Sequence, residues 1–300
     1  MSSLIDTPRL PVIDLSLFDA GDPWRDHVAA QVDWASSTYG FFYLIGHGID
    51  TALIDSLMSS SRHFFSLNAH EQRRLQANVP HHGRNNYPEL PGFRDAVQDY
   101  MTALTGLGHK LMASIGRGLG IGDSYFVDRY TGNPTALFRI FNYPATSRLL
   151  TGLDTHWGVA EHTDEGLLTL VKQDDVGGLQ VEHAGRWLEV PEVPDSFVIN
   201  IGGTLEHLTN GRYVSAPHRV RNDSTRDRLS MPFFFDPAFD AVLSPIEGVA
   251  AGGGALSRVS TKEGDGHEVE NGVLVGGQRI HCSDHRDGSA RFARARRSAG

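Results

Sequence analysis

Cysteine is nearly absent from this chain. Cys282 stands alone among 300 residues, so neither an intramolecular disulfide nor a cysteine zinc cluster can form. Long apolar runs are missing too. None approaches the roughly 18 residues that a membrane-spanning helix needs, and the N-terminus lacks the charged-then-apolar pattern of a secretory signal. Positive charge is not in excess either: the formal net charge is −9 and the pI is near 5.9. Nucleic-acid partners normally require a basic patch, and the one Arg-rich stretch lies at the far end, Arg286 to Arg297. The expectation is a soluble, cytoplasmic protein with neither a membrane nor a nucleic acid as partner.

Core-forming material is plentiful, at 40% hydrophobic residues, and its pattern changes midway. Residues 8–15 read as a short strand. Val28, Val32 and Ala35 lie at helical spacing and predict a helix over 23–39, closed by Gly40. An aromatic strand, Phe41 to Ile45, leads into Gly46-His47-Gly48. A second helix is expected over 51–66, and Asn68 with Glu71 forms a capping box for the next. Val97, Met101, Leu104, Leu111 and Ile115 predict a long helix from Gly92 to Leu119.

Beyond Asn133-Pro134, short runs at 137–141, 166–171, 179–182, 196–201 and 228–235 are separated by Gly, Asp, Asn and Pro. That is the signature of a β barrel or sandwich. Three regions follow: a helix-rich part over 8–130, a β domain over 131–246, and a charged, Gly-rich tail over 247–300 that reads as disordered.

The chemistry concentrates in the β domain. His162-Thr163-Asp164 places an imidazole and a carboxylate two residues apart, on one face of a strand. The same spacing recurs at His285 and Asp287, but in the tail, with no histidine following. For a further imidazole there are two candidates. His207 lies in a short helix or turn, where a packing role is expected; His218 opens a strand-like segment after Ala216-Pro217. Two imidazoles and one carboxylate can hold a ferrous ion on one face and leave the other open. Arg228-Leu229-Ser230 offers a guanidinium and a hydroxyl on one side of a strand, suited to a distal carboxylate. The alternative is a surface Arg228 paired with Asp223 or Asp227. Tyr143 can add a hydrogen bond there or serve as a buried structural residue.

With these residues assembled, the chain resembles the isopenicillin N synthase-like branch of the 2-oxoglutarate/Fe(II)-dependent dioxygenases. The likeness runs through Pro11 to Leu15, Gly40 to Ile49, Asn142-Tyr143-Pro144, His162-Thr163-Asp164, Thr209 to Tyr213, Pro217 to Val220 and Arg228-Leu229-Ser230. It implies a mainly β fold with flanking helices, a distorted double-stranded β helix (jelly roll) behind a helix-rich N-terminal region. It also implies Fe(II) on His162, Asp164 and His218. The co-substrate 2-oxoglutarate would reach Arg228 and Ser230, with Tyr143 assisting, and O2 would complete the reaction.

The function so implied is oxidation of a small-molecule metabolite, by hydroxylation, desaturation or ring closure, with release of succinate and CO2. Phe141, Phe233 and Phe235 are candidate pocket walls, although aromatic strand residues are more often core. Two rival readings are an Fe(II) oxidase that does without 2-oxoglutarate and a non-catalytic binding or sensor protein on the same scaffold. Three departures from the family pattern stand out: a short stretch between Arg74 and Asn85, Gly203 where Asp is common, and a C-terminal segment without the usual closing helix.

Overall fold

A computed structural model describes residues 9–76, 87–145, 157–250 and 278–284. The N-terminal part runs β1 (Val12–Asp14), a 3-10 turn (Leu15–Ala20), α1 (Asp22–Thr38), β2 (Phe41–Ile45), α2 (Thr51–Ser66), α3 (Ala69–Gln76) and α4 (Phe93–Gly118). Local chemistry sets several of these boundaries. Asp50 caps α2 by accepting from the Ala52 amide at 2.9 Å. The expected capping box forms at α3: Asn68 accepts from the Glu71 amide at 3.0 Å, and Glu71 accepts from the Asn68 amide at 3.1 Å. Gly40, between α1 and β2, has φ +67, and a Cβ there would fall 2.1 Å from the Val214 carbonyl oxygen. Only glycine fits that turn.

A π turn (Val127–Thr131) leads to the strands: β3 (Thr135–Tyr143), β4 (Trp157–His162), β5 (Leu168–Gln173), β6 (Leu179–His183), β7 (Arg186–Glu189) and β8 (Phe197–Ile201). Then come α5 (Gly203–Leu208), β9 (His218–Arg221), β10 (Arg228–Asp236) and β11 (Gln278–Asp284). They form a seven-stranded sheet, β1-β2-β8-β5-β10-β3-β11, and a four-stranded sheet, β4-β9-β6-β7. Among the described residues, only the β1–β2 pair is parallel. The two sheets make the jelly roll that the sequence predicts.

Strand alternation divides the core in two. On β10, Leu229, Met231, Phe233 and Phe235 join the cluster that holds Leu104, Leu111 and Ile115 of α4. The opposite faces of β2, β8 and β3 bring Tyr43, Val198 and Tyr143 against Leu179, Val181, Leu188 and Val220 of the smaller sheet. Phe233 and Phe235 are therefore core residues rather than pocket walls. Phe141, of the other parity, packs against the inter-sheet cluster.

One segment of the tail departs from its expected disorder. Residues 278–284 pair antiparallel with β3, from Gln278 opposite Asn142 to Asp284 opposite Ala136. The physical reason is an otherwise open strand edge: β3 offers unpaired N–H and C=O groups there. His285 and Asp287, and most of the short stretch between Arg74 and Asn85, lie outside the described residues.

Candidate metal centre and arginine pocket

His162 ends β4 and His218 opens β9, and the two are register partners across the smaller sheet. Their ring centroids lie 4.2 Å apart. Asp164 sits not on the strand, as alternation suggested, but in the turn that follows it. The turn carries its carboxylate back toward both rings: Asp164 Oδ1 is 3.6 Å from His162 Nε2 and 3.7 Å from His218 Nε2. One donor atom from each residue lies within 4.8 Å of the other two.

Each imidazole is oriented by backbone. His162 Nδ1 faces the Ala160 carbonyl at 2.8 Å, and His218 Nδ1 faces the Ala216 carbonyl at 3.2 Å. A carbonyl only accepts, so Nδ1 carries the proton and each Nε2 presents its lone pair inward. Burial lowers the His218 pKa, Asp164 opposes that, and His162 reinforces it. The net effect favours the neutral ring that a metal requires.

The turn itself is pinned. The Asp164 carbonyl accepts from the Gly203 amide at 2.7 Å and from Ser215 Oγ at 3.4 Å. The Glu165 carbonyl accepts from Thr204 through both its amide and its hydroxyl. The unusual Gly203 thus serves through its backbone amide, and the side chains of Ser215 and Thr204 complete the hold on the turn. Asp164 Oδ2 accepts from Asn200 Nδ2 at 2.8 Å and from the Thr169 hydroxyl.

Arg228 opens β10 and is 1% exposed, which sets aside the surface-pair alternative. Asp223 pairs instead with Arg221, and Asp227 accepts from the Ala145 amide. Arg228 Nε donates to the Gly177 carbonyl at 2.6 Å and Nη2 donates to Gln173 Oε1 at 3.2 Å. Gln173 is held in turn by donating to the Val190 carbonyl at 3.0 Å. The guanidinium lies 5.0 Å from the Tyr143 ring. Nη1 is buried and finds no acceptor among the described residues. Burial raises the Tyr143 hydroxyl pKa, and Arg228 pulls it back. Ser230, 4% exposed, has the same strand parity as Arg228.

The structure thus brings His162, Asp164 and His218 together and sets Tyr143 beside Arg228. His207 does not join them; it is exposed on α5, contrary to the packing role expected of it. His47 accepts from the Ile49 amide at 3.1 Å and sets its ring edge-on to Phe197, a structural role. Sequence reasoning missed Thr169, Gln173, Gly177 and Asn200. The available signal was a polar residue breaking an apolar run, as in Leu168-Thr169-Leu170 and Ile199-Asn200-Ile201.

The donor set is chemically suited to a ferrous ion: two neutral nitrogens and one carboxylate on one side. The buried, partly unsatisfied arginine is suited to a carboxylate guest. Comparison with known proteins agrees. Residues 134–237 match the family model of the 2OG-Fe(II) oxygenase superfamily, and residues 10–91 match that of the non-haem dioxygenase in morphine synthesis N-terminal region. The chain belongs to the 2OG-Fe(II) oxygenase superfamily, and it is an oxidoreductase that uses Fe(II), 2-oxoglutarate and O2.

Among its relatives is a probable iron/ascorbate oxidoreductase of Dictyostelium discoideum, 35% identical, with 82% of this chain and 86% of that protein covered. A homoarginine-6-hydroxylase of Arabidopsis thaliana is 32% identical, over 81% of this chain and 89% of its own. Among solved structures, JOX2 in complex with 2OG, Fe and JA matches with a TM-score of 0.70 and 26% identity, covering 84% of this chain and 81% of that one. Neurospora crassa T7H in complex with alpha-KG and 5-formyluracil shares the fold, at a TM-score of 0.73 and 24% identity, over 82% and 90% of the two chains. Among the described residues, no helix is long and apolar enough to cross a membrane.

Proposed function

We propose that this chain hydroxylates a small organic metabolite, with His162, Asp164 and His218 holding Fe(II) and Arg228, Ser230 and Tyr143 receiving the far carboxylate of 2-oxoglutarate. The observation that carries the reading is the convergence of three inward donors, together with a buried arginine whose Nη1 finds no acceptor among the described residues. When bound, the iron and the keto acid supply O2 activation coupled to decarboxylation. For hydroxylation, R–H, O2 and 2-oxoglutarate give R–OH, succinate and CO2. Hydroxylation is favoured over desaturation or ring closure because hydroxylases of small metabolites recur among the relatives.

The residues of the chain supply position and electrostatics. The Ala160 and Ala216 carbonyls fix the ring tautomers. Gly177 and Gln173 aim the guanidinium, and burial excludes water that would compete for a carboxylate. The oxidase reading, which 1-aminocyclopropane-1-carboxylate oxidases among the relatives bring to mind, leaves Nη1 of Arg228 unexplained. His218→Ala is expected to lose Fe(II) retention, measured anaerobically by chelator competition, together with substrate-stimulated succinate release. Full retention in that variant would overturn the ligand assignment.

A further inference from the structure

Asp164 is held in an unusual way for a residue in a turn. Among the described residues, both hydrogen bonds to its carboxylate go to one oxygen, Oδ2, and both come from the larger sheet. The donors, Thr169 on β5 and Asn200 on β8, are register partners across adjacent strands. They are 3% and 2% exposed, so solvent does not compete for them. Leu168, Leu170, Ile199 and Ile201, on either side, are buried in the helix-facing core and fix the strand parity that turns both donors inward. The Asn200 amide assignment follows from chemistry: a carboxylate only accepts, so the NH2 faces Oδ2. Oδ1 is left to face the two imidazoles.

A carboxylate can ligate a metal through one oxygen or through both. Turning Oδ2 toward the ion would break two charge-assisted hydrogen bonds in a buried site. The backbone cannot shift to compensate, because Gly203 and Ser215 hold the Asp164 carbonyl. We propose that Thr169 and Asn200 are positioning residues that restrict Asp164 to ligation through Oδ1 and so keep a coordination position open for the keto acid. This rests on the metal-site reading above. The two residues are not among the three proposed metal ligands; they act through Asp164.

The test uses the full chain loaded with Fe(II) without oxygen. Thr169→Val and Asn200→Leu remove each donor at nearly constant shape, and Thr169→Ser keeps the hydroxyl. Three quantities are read: Fe(II) affinity by chelator competition, 2-oxoglutarate affinity from the visible charge-transfer band of the iron-saturated protein, and melting temperature. The double variant should lose about tenfold to a hundredfold in metal affinity and should also bind the keto acid more weakly once iron is saturating. Each single variant should lose part of both, and Thr169→Ser should retain them. A lower melting temperature with both affinities unchanged would overturn the proposal and make the pair merely structural. The single variants keep the test decisive if the double variant does not fold. Failure of the wild-type chain to bind iron would instead sink the metal-site reading, and the proposal with it.

Discussion

At the scale of single residues, the site depends on polar groups held at the edge of a dry interior. Asp236, at the end of β10, accepts from the Leu167 amide at 3.3 Å beside the pinned turn. Burial pushes its pKa up to about 6 from 3.8; the Leu167 N–H opposes this, and Asp164 and Glu165 add to it. The folded state therefore keeps a proton that the unfolded chain gives up near 3.8. Stability falls as pH rises from about 4 to 6, and the full cost, on the order of 3 kcal/mol, stands above that. Asp236→Asn should raise the melting temperature of the metal-free protein by several degrees at pH 7.5 and leave it nearly unchanged at pH 4. Equal shifts at both pH values would contradict the assignment.

The six residues proposed for the site were legible at this scale because chemistry demands those types at those spacings. Thr169, Asn200 and Gln173 were not. In a strand buried on both faces, an apolar run hides which parity points inward, and a lone Thr or Asn in such a run has no partner until the fold closes.

At the scale of elements, helix packing determines where the strands lie. Gly108 on α4 faces Phe235 on β10, and a Cβ there would fall 2.6 Å from its ring. Gly108→Ala should therefore destabilise by about 1–3 kcal/mol through overpacking, despite the better helix propensity of alanine. An unchanged denaturant midpoint would contradict this. A second tie runs from α1 to the loop before β9. Asp33 accepts from Arg212 through two nitrogens and from the Tyr213 hydroxyl at 2.9 Å. Asp33→Ala should cost about 3 kcal/mol or more, since it leaves a buried phenol and a guanidinium without their acceptor. An urea midpoint equal to wild type would remove that tie from the account.

The helices were read well from spacing, and α4 begins and ends within a residue of expectation. Strand order could not be read, because it depends on contacts between residues far apart in sequence. The edge strand β11 escaped notice for the same reason: its partner β3 lies more than a hundred residues earlier.

At the scale of the whole molecule, the two sheets divide the labour. The smaller sheet supplies both imidazoles, the larger supplies the arginine and the donors to Asp164, and the Asp164 turn joins them. Helices α1, α2 and α4 pack on the other side of the fold, in the cluster away from the site. This arrangement makes one central claim, that a ferrous ion and a keto acid are held together between the sheets. The most direct measurement is an anaerobic titration of the Fe(II)-loaded chain with 2-oxoglutarate, following the visible charge-transfer band. The account predicts a saturable band in the wild type, and an affinity at least tenfold weaker (about 1.4 kcal/mol) in Arg228→Ala with Fe(II) binding intact. Iron binding without any band, or a band indifferent to Arg228, would contradict it.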